Sequence, residues 1–369
     1  MPYKDCTLPV YPCKADMWDV LKRERRPILV YGMGNGADKL ISRLSLYGVE
    51  ISDFFASDGF VRGHFFHGKR VKSFAEVREE YSDFVILLSF ASNRTEVLEM
   101  LSDMDKKYDM LVPDMPVAGE EYFDREFYNS NYKEILKAYE ALCDSDSRHA
   151  FAAILNYRLT GRMSYLMEAF STKDELYSMI SERRVRSVID AGAYNGDTLK
   201  EAIKYFPDLA RVTAIEADAK NFKKLKKYAD TIEQIEVKCI NAAVWDKCGN
   251  GEFLSSGNRN SSVNSTASFE YGESAVELIT VDSLGLDSVD YIKYDVEGAE
   301  YEALLGSADT INKHRPILLV SLYHRSRDIF YLVNYLKESY PDYFFYIRRL
   351  RCVPSWEIDL IMLPKSSYD

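Results

Sequence analysis

The sequence has little from which to build a metal or disulfide framework. Its six cysteines, Cys6, Cys13, Cys143, Cys239, Cys248 and Cys352, form no C-x-x-C pair, and no histidine stands at zinc-ligand spacing. The thiols therefore read as reduced and mainly packed. His64 and His67 share a glycine-rich turn, but no third ligand accompanies them. Positive charge is also short: 47 Lys and Arg against 58 Asp and Glu give a net charge of −11. That balance excludes the basic footprint of a nucleic-acid-binding protein. The one dense run, "KRERR" at Lys22–Arg26, reads as a solvated helix end. No apolar stretch approaches the roughly 20 residues of a membrane span, and no apolar core of signal-peptide length follows Met1. The expectation is a cytoplasmic chain with neither nucleic-acid nor membrane partners; homo-oligomerisation stays open.

What the sequence does have is alternation. From Ile28 to Val112, short apolar runs ("ILVYG", "VEISDFFAS", "DFVILLSF") take turns with helical periodicity ("ADKLISRLSLYG", "SFAEVREEY", "NRTEVLEMLSDM"). Strands alternating with helices imply a parallel sheet covered on both faces. From about 120 to 184 the pattern is helical throughout. Within it, "SRHAFAAILNYRLTG" has Ser145 and Asp146 before it as N-caps and Gly161 as its stop. From 186 to 364 the alternation resumes, with strands at "SVIDAG", "RVTAIEA", "IEVKCINAAV", "VDYIKYDV", "ILLVSLY" and "IDLIML". The polar stretch Ser255–Ser274 reads as a loop. The fold class is α/β, with two Rossmann-like units joined by a helical connector. Their bounds are an extension at 1–26, a first unit at 27–115, the connector at 116–185 and a second unit at 186–369.

Ligands of open parallel sheets sit at the carboxyl ends of the strands, where the strand order reverses. "DAGAYNGDT" lies at such an end. Gly192 and Gly196 let backbone approach a ligand, and Ala193, Tyr194, Asn195, Asp197 and Thr198 complete the loop and open a helix. The G-x-x-x-G spacing is not the dinucleotide fingerprint, and Asp190 before it would repel phosphate. A ligand with an amino group or a cation suits it better, and S-adenosylmethionine carries both. Glu216, with Ala217 after it, ends the next strand, where a carboxylate accepts ribose hydroxyls. Asn241 and Ala242, after the third strand, would lie along an adenine, with Trp245 as a wall. At the ends of the fourth and fifth strands stand Asp295, Glu297 and His324, the candidates for removing a proton from an alcohol or for holding the cofactor. Asp295 and Glu297 also offer hard oxygen ligands of the kind Mg²⁺ takes, but two carboxylates do not establish a metal, and none is assigned.

"VIDAGAYNGDT", "AIEAD", "CINAAVWD", "TVDSL" and above all "DYIKYDVEGAEYEALLGS" together resemble the FkbM family of S-adenosylmethionine-dependent methyltransferases. The resemblance implies a class I methyltransferase fold over 186–364 and, commonly, O-methylation of sugars or natural products. The expected acceptor is then a small molecule or saccharide, nucleotide-linked in one version of the reading. The first unit is less determined. Gly32, Gly34 and Ala37 satisfy G-x-G-x-x-A after a strand, which admits NAD and an oxidoreductase. The wider stretch from "ILVYGMGNGADKLISRL" to "DFVILLSF" resembles the nucleotide-sugar-binding domain of bacterial sugar acyltransferases, which would turn Gly32, Gly34, Asn35 and Asp58 to the ligand. A purely structural domain, and a non-catalytic cofactor-binding protein, also remain open.

Overall fold

The computed structural model describes residues 10, 15–61, 63–254, 262–264 and 273–365. It is a mixed α/β chain built on two parallel-type sheets. The N-terminal sheet has five parallel strands in the spatial order Lys72–Ser73, Asp53–Ala56, Ile28–Tyr31, Val85–Leu88, Asp109–Leu111. Ile28–Tyr31 and Val85–Leu88 are buried at every position, as strands covered on both faces must be. The last strand, Asp109–Leu111, is only three residues long and carries too short an apolar run to announce itself in the sequence.

Helices from Arg125 to Ser181 connect this sheet to the next. The longest, Ser145–Thr160, is buried on nearly every face. Its N-cap is Asp144, whose side chain accepts the Ser147 amide; Ser145 and Asp146, expected as caps, lie inside the first turn. Gly161 ends the helix at φ +67°. Lys173–Ser181 opens on a capping box between Thr172 and Glu175. The Arg158 guanidinium, 2.9 Å from Asp114 and donating to the Ser326 carbonyl at 3.0 Å, ties the connector to both sheets.

The large sheet has seven strands, numbered here in chain order: β1 Ser187–Ala191, β2 Arg211–Ile215, β3 Glu236–Ile240, β4 Tyr291–Tyr294, β5 Ile317–Ser321, β6 Tyr343–Arg349 and β7 Ile358–Pro364. Their spatial order is 3-2-1-4-5-7-6, with β7 antiparallel between β5 and β6. The order reverses between β1 and β4, which fixes where a crevice opens. Strand β6 is aromatic and basic ("YFFYIRR") and escaped the sequence reading. "IEVKCINAAV" divides in two: Ala243–Val244 leaves β3 for a separate four-stranded sheet with Gly249–Leu254, Ser262–Asn264 and Glu273–Ile279. Part of the expected loop Ser255–Ser274 is thus strand; the remainder lies outside the described residues.

Candidate active site

At the carboxyl ends of β1, β2 and β4 the chain encloses a cavity of about 640 Å³, within the range of small-molecule sites. One wall is the loop after β1. Gly192 takes φ +88°, and a Cβ there would lie 1.8 Å from the Asp295 carbonyl oxygen, so only glycine lets the β1 and β4 ends meet. Tyr194 follows at φ +47°. Its amide donates to Glu216 Oε2 at 2.8 Å, and the Asp218 amide donates to Oε1 at 2.7 Å. Each Glu216 oxygen keeps a second lone pair for a ligand. Burial pushes the Glu216 carboxyl up to about 7. Ala217, Ala242 and Val244 give this end an apolar flank.

Several sequence-predicted residues build the site without lining it. Asp190 is wholly buried below the loop, its two carboxylate oxygens without a hydrogen-bond partner among the described residues. Burial lifts it to about 7. It shares a sheet face with its register partner Lys293, which lines the cavity, but does not line it itself, so it acts on the cavity through charge rather than contact. Ala193, Asn195 and Gly196 shape the turn; a Cβ at Gly196 would meet Tyr228 at 2.8 Å. Asn241 points back, its Nδ2 donating to the Glu216 and Ala217 carbonyls at 2.8 and 3.1 Å, and so steadies the β2 end rather than facing a ligand. Trp245 packs with Ala243, Val276, Leu278 and Ala299 and is no wall of the cavity.

The second wall follows β4 and β5. Lys293 Nζ donates to Thr198 Oγ1 at 2.9 Å and to Asp295 Oδ2 at 3.1 Å; the Tyr323 hydroxyl donates to Asp295 Oδ1 at 3.0 Å. Burial works against the Asp295 charge, but Lys293 and His324 outweigh it and hold the carboxyl at about 2. His324 has no exposed surface and stands behind the wall. Its Nδ1 is 2.9 Å from Glu300, and its Nε2 is 3.5 Å from both Asp295 and Glu297. Burial opposes its charge, yet Glu300, Glu297 and Asp295 together raise it to about 10. These carboxylates favour the protonated imidazolium, and His324 does not line the cavity, so the geometry favours a positioning role over that of a base. Glu297, at φ +55°, lines the cavity with its side chain 30 % exposed. Its Oε2 has no hydrogen-bond partner among the described residues. Burial lifts this carboxyl to about 8.

The far side of the cavity was not foreseen. The connector brings Phe170, Lys173, Leu176 and Tyr177; the helix after β1 brings Glu201; the segment between β6 and β7 brings Arg351 and Glu357, and the start of β7 brings Asp359. Asn93 arrives from the N-terminal sheet, where Ser92 bridges Val353. None of these carries a local motif. Arg325 donates from Nε to the Gly298 carbonyl at 2.8 Å. Among the described residues, no group of three or more His, Cys, Asp or Glu could hold a metal ion.

The N-terminal sheet has a smaller crevice of about 220 Å³. Asn35, Gly36 and Lys39 line it, and Pro354 and Trp356 from the β6–β7 segment close it. Lys39 Nζ is engaged by the Pro116 and Val117 carbonyls at 2.8 and 3.3 Å. Gly32 and Gly34 hold φ of +118° and +124° behind it. Asp58 starts a separate 3₁₀ turn, so of the four residues expected to meet a ligand only Asn35 lines this crevice. His67 pairs with Asp38 at 2.7 Å. No helix among the described residues is long and apolar enough to cross a membrane.

Curated protein sequences give no match to the chain. Among solved structures, methyltransferase FkbM from Methylobacillus flagellatus KT superposes with a TM-score of 0.67 at 20% identity, covering 97% of this chain and 95% of that one. The likeness in fold thus takes in the N-terminal sheet as well as the large one. An rRNA methylase from Streptococcus thermophilus (TM-score 0.35, 10% identity, 52% of this chain, 95% of that one) and a precorrin-6y C5,15-methyltransferase from Geobacter metallireducens GS-15 (0.34, 12%, 53%, 91%) match far more weakly. Residues 190–350 match the family model of the methyltransferase FkbM domain. The large sheet with its crevice is therefore similar to the methyltransferase FkbM domain over residues 190–350, in a chain whose fold resembles that of a solved FkbM methyltransferase along nearly its whole length.

Proposed function

We propose that the chain transfers a methyl group from S-adenosylmethionine to a hydroxyl of a small polyhydroxylated acceptor, a saccharide in the first instance. One observation carries this reading: a single cavity is lined both by Glu216, at the end of β2, and by Glu297, beyond β4. The residues fit the cofactor. Glu216 keeps acceptor capacity for ribose hydroxyls, Ala217, Ala242 and Val244 offer an apolar flank for a base, and Gly192 leaves room where a side chain would intrude. When bound, this group supplies an electrophilic methyl on a sulfonium, and the protein contributes alignment and a dry site.

The chain's own part is to move a proton and hold geometry. Glu297 lines the cavity and takes the acceptor's hydroxyl proton on the carboxylate oxygen turned to it, while Oε2 is buried 3.5 Å from His324 Nε2; a carboxyl near 8 is suited to that task around neutral pH. Asp295 stays ionised under Lys293 and Tyr323 and fixes the loop that carries Glu297. The N-terminal sheet enters this reading as a wall through Asn93. Its crevice of about 220 Å³ is short of the roughly 300 Å³ at which small-molecule sites begin, so neither a nicotinamide dinucleotide nor a nucleotide handle of the acceptor is carried forward.

The test is to incubate purified protein and the donor with an extract of the source cells and follow S-adenosylhomocysteine. Its protein-dependent release supports the reading; none with any extract ends it. Glu216→Ala should weaken S-adenosylhomocysteine binding by about tenfold to a hundredfold, the worth of one or two hydrogen bonds to a charged group. Titration calorimetry reads this directly, and an unchanged affinity would remove Glu216 from the cofactor site.

A further inference from the structure

From β2 to β7 the large sheet spans four inter-strand steps, about 19 Å at the usual strand spacing. The cavity runs that whole way, from Glu216 to Asp359. The end beyond β5, walled by Tyr177, Glu201, Arg351, Glu357 and Asp359, is what remains for the acceptor. Asp359 is decisive there. It lies at the start of β7, is 7% exposed, lines the cavity, and accepts no side-chain hydrogen bond among the described residues.

Two of the neighbouring positive charges, Lys173 and Lys293, are committed elsewhere. Lys173 pairs with Glu201, which also accepts the Tyr177 hydroxyl at 2.8 Å. Lys293 donates to Thr198 and Asp295. Arg351 lies over the Phe170 ring, 5.4 Å from its centroid. A buried carboxylate facing a ligand space, whose nearby cation Lys293 is bonded to another carboxylate, is a costly arrangement unless the ligand completes it. Resting on the methyltransferase reading above, we infer that the acceptor is a hydroxylated primary amine, an amino sugar being the simplest example, whose ammonium group binds Asp359 beside Glu357. Burial and the nearby Glu357 lift the Asp359 carboxyl to about 8 against the pull of Lys293, as expected of an acid whose close charge partner comes with the ligand. A phosphorylated or carboxylated acceptor would meet the carboxylates Asp359, Glu357 and Glu201 at this end, where of the lining cations Lys173 and Lys293 are already paired and Arg351 is not.

The experiment uses the full chain, a trideuteriomethyl donor and an extract of the source cells. Every species that gains one labelled methyl group in a protein-dependent way is scored for charge at pH 7 by electrophoretic mobility coupled to mass spectrometry. Label on a cationic or amine-bearing acceptor supports the inference. Label on a neutral or anionic acceptor without an amine overturns it and leaves the methyltransferase reading standing; no label at all overturns both. With the cationic acceptor, Asp359→Asn should raise KM by about tenfold to a hundredfold, with S-adenosylhomocysteine affinity unchanged and the cooperative unfolding transition retained. An unchanged KM for a variant that folds overturns the role of Asp359. If Asp359→Asn does not fold, Glu357→Gln takes its place: a KM raised at least severalfold supports the site, and one unchanged overturns it.

Discussion

Glu297→Gln is expected to lower turnover by about 10²- to 10⁴-fold, the usual contribution of a positioned general base, while S-adenosylhomocysteine binding stays as it was. The substitution keeps volume and shape and removes only the capacity to accept a proton. Of the three groups that the sequence offers for this role, the structure separates the roles by environment. Asp295 is held at about 2 by Lys293 and His324, behind burial that works the other way, and is too weak a base. His324 is favoured in its protonated form by the carboxylates around it, up to about 10, and does not line the cavity. Glu297 alone sits near 8 and faces the cavity. The pH dependence follows in sign. Turnover should rise as pH increases through about 8, because the base must lose its own proton first. It should fall through about 10 as His324 loses the charge that balances Glu300, Glu297 and Asp295. His324 also sets a stability trend: its folded value exceeds the ordinary 6.5, so its contribution is complete below 6.5 and is lost as pH rises through about 10. A rate profile of Glu297→Gln with both magnitude and rising limb intact would dismiss this base.

The parts of the site that the sequence revealed are those that sit on one short segment. Gly192, Glu216, Asp295 and Glu297 each close a strand, and strand ends in an open parallel sheet face the crevice whatever the rest of the chain does. Strand ends alone do not say which of their residues line the cavity: Asp190 is buried below it on the face of Lys293, and Asn241 spends its amide on the Glu216 and Ala217 carbonyls. His324 was placed at the right strand end, but its protonation is set by Glu300, a residue of the helix after β4 whose carboxylate reaches it only in the folded chain. Asn93, Tyr177, Glu201 and Asp359 come from a sheet loop, a connector helix, the helix after β1 and an antiparallel strand. No spacing relates them, and only the packing of the connector against β5 and β7 brings them together. In the first unit the glycine pattern was legible, whereas the 112–117 segment and Trp356 that close its crevice were not.

Gly192→Ala is expected to be the most disruptive single methyl in the large sheet, costing on the order of 2–5 kcal/mol from overpacking and left-handed backbone strain together, with S-adenosylhomocysteine binding lost. Gly34→Ala provides the contrast. Both glycines have positive φ, +88° and +124°, so both substitutions carry a conformational cost. A Cβ at Gly34 meets nothing within 4 Å, so its cost is that of its backbone conformation, φ +124° and ψ −162°, alone, about 1–3 kcal/mol. At Gly192 the obstacle is the Asp295 carbonyl oxygen at 1.8 Å, which no side-chain rotation can clear because it belongs to the backbone. The Gly192 amide also donates to the Ile215 carbonyl at 3.0 Å, so the loop cannot retreat without releasing the β2 end. The only relief is to part β1 from β4 at the point where the strand order reverses. That parting separates the Glu216–Tyr194 contact from Asp295 and Glu297 and so divides the two halves of the cavity. Denaturant unfolding of both variants, with calorimetric binding of S-adenosylhomocysteine, makes the comparison. Equal destabilisation of the two, with binding retained in Gly192→Ala, would mean that the close approach of β1 and β4 is not what holds the crevice in shape.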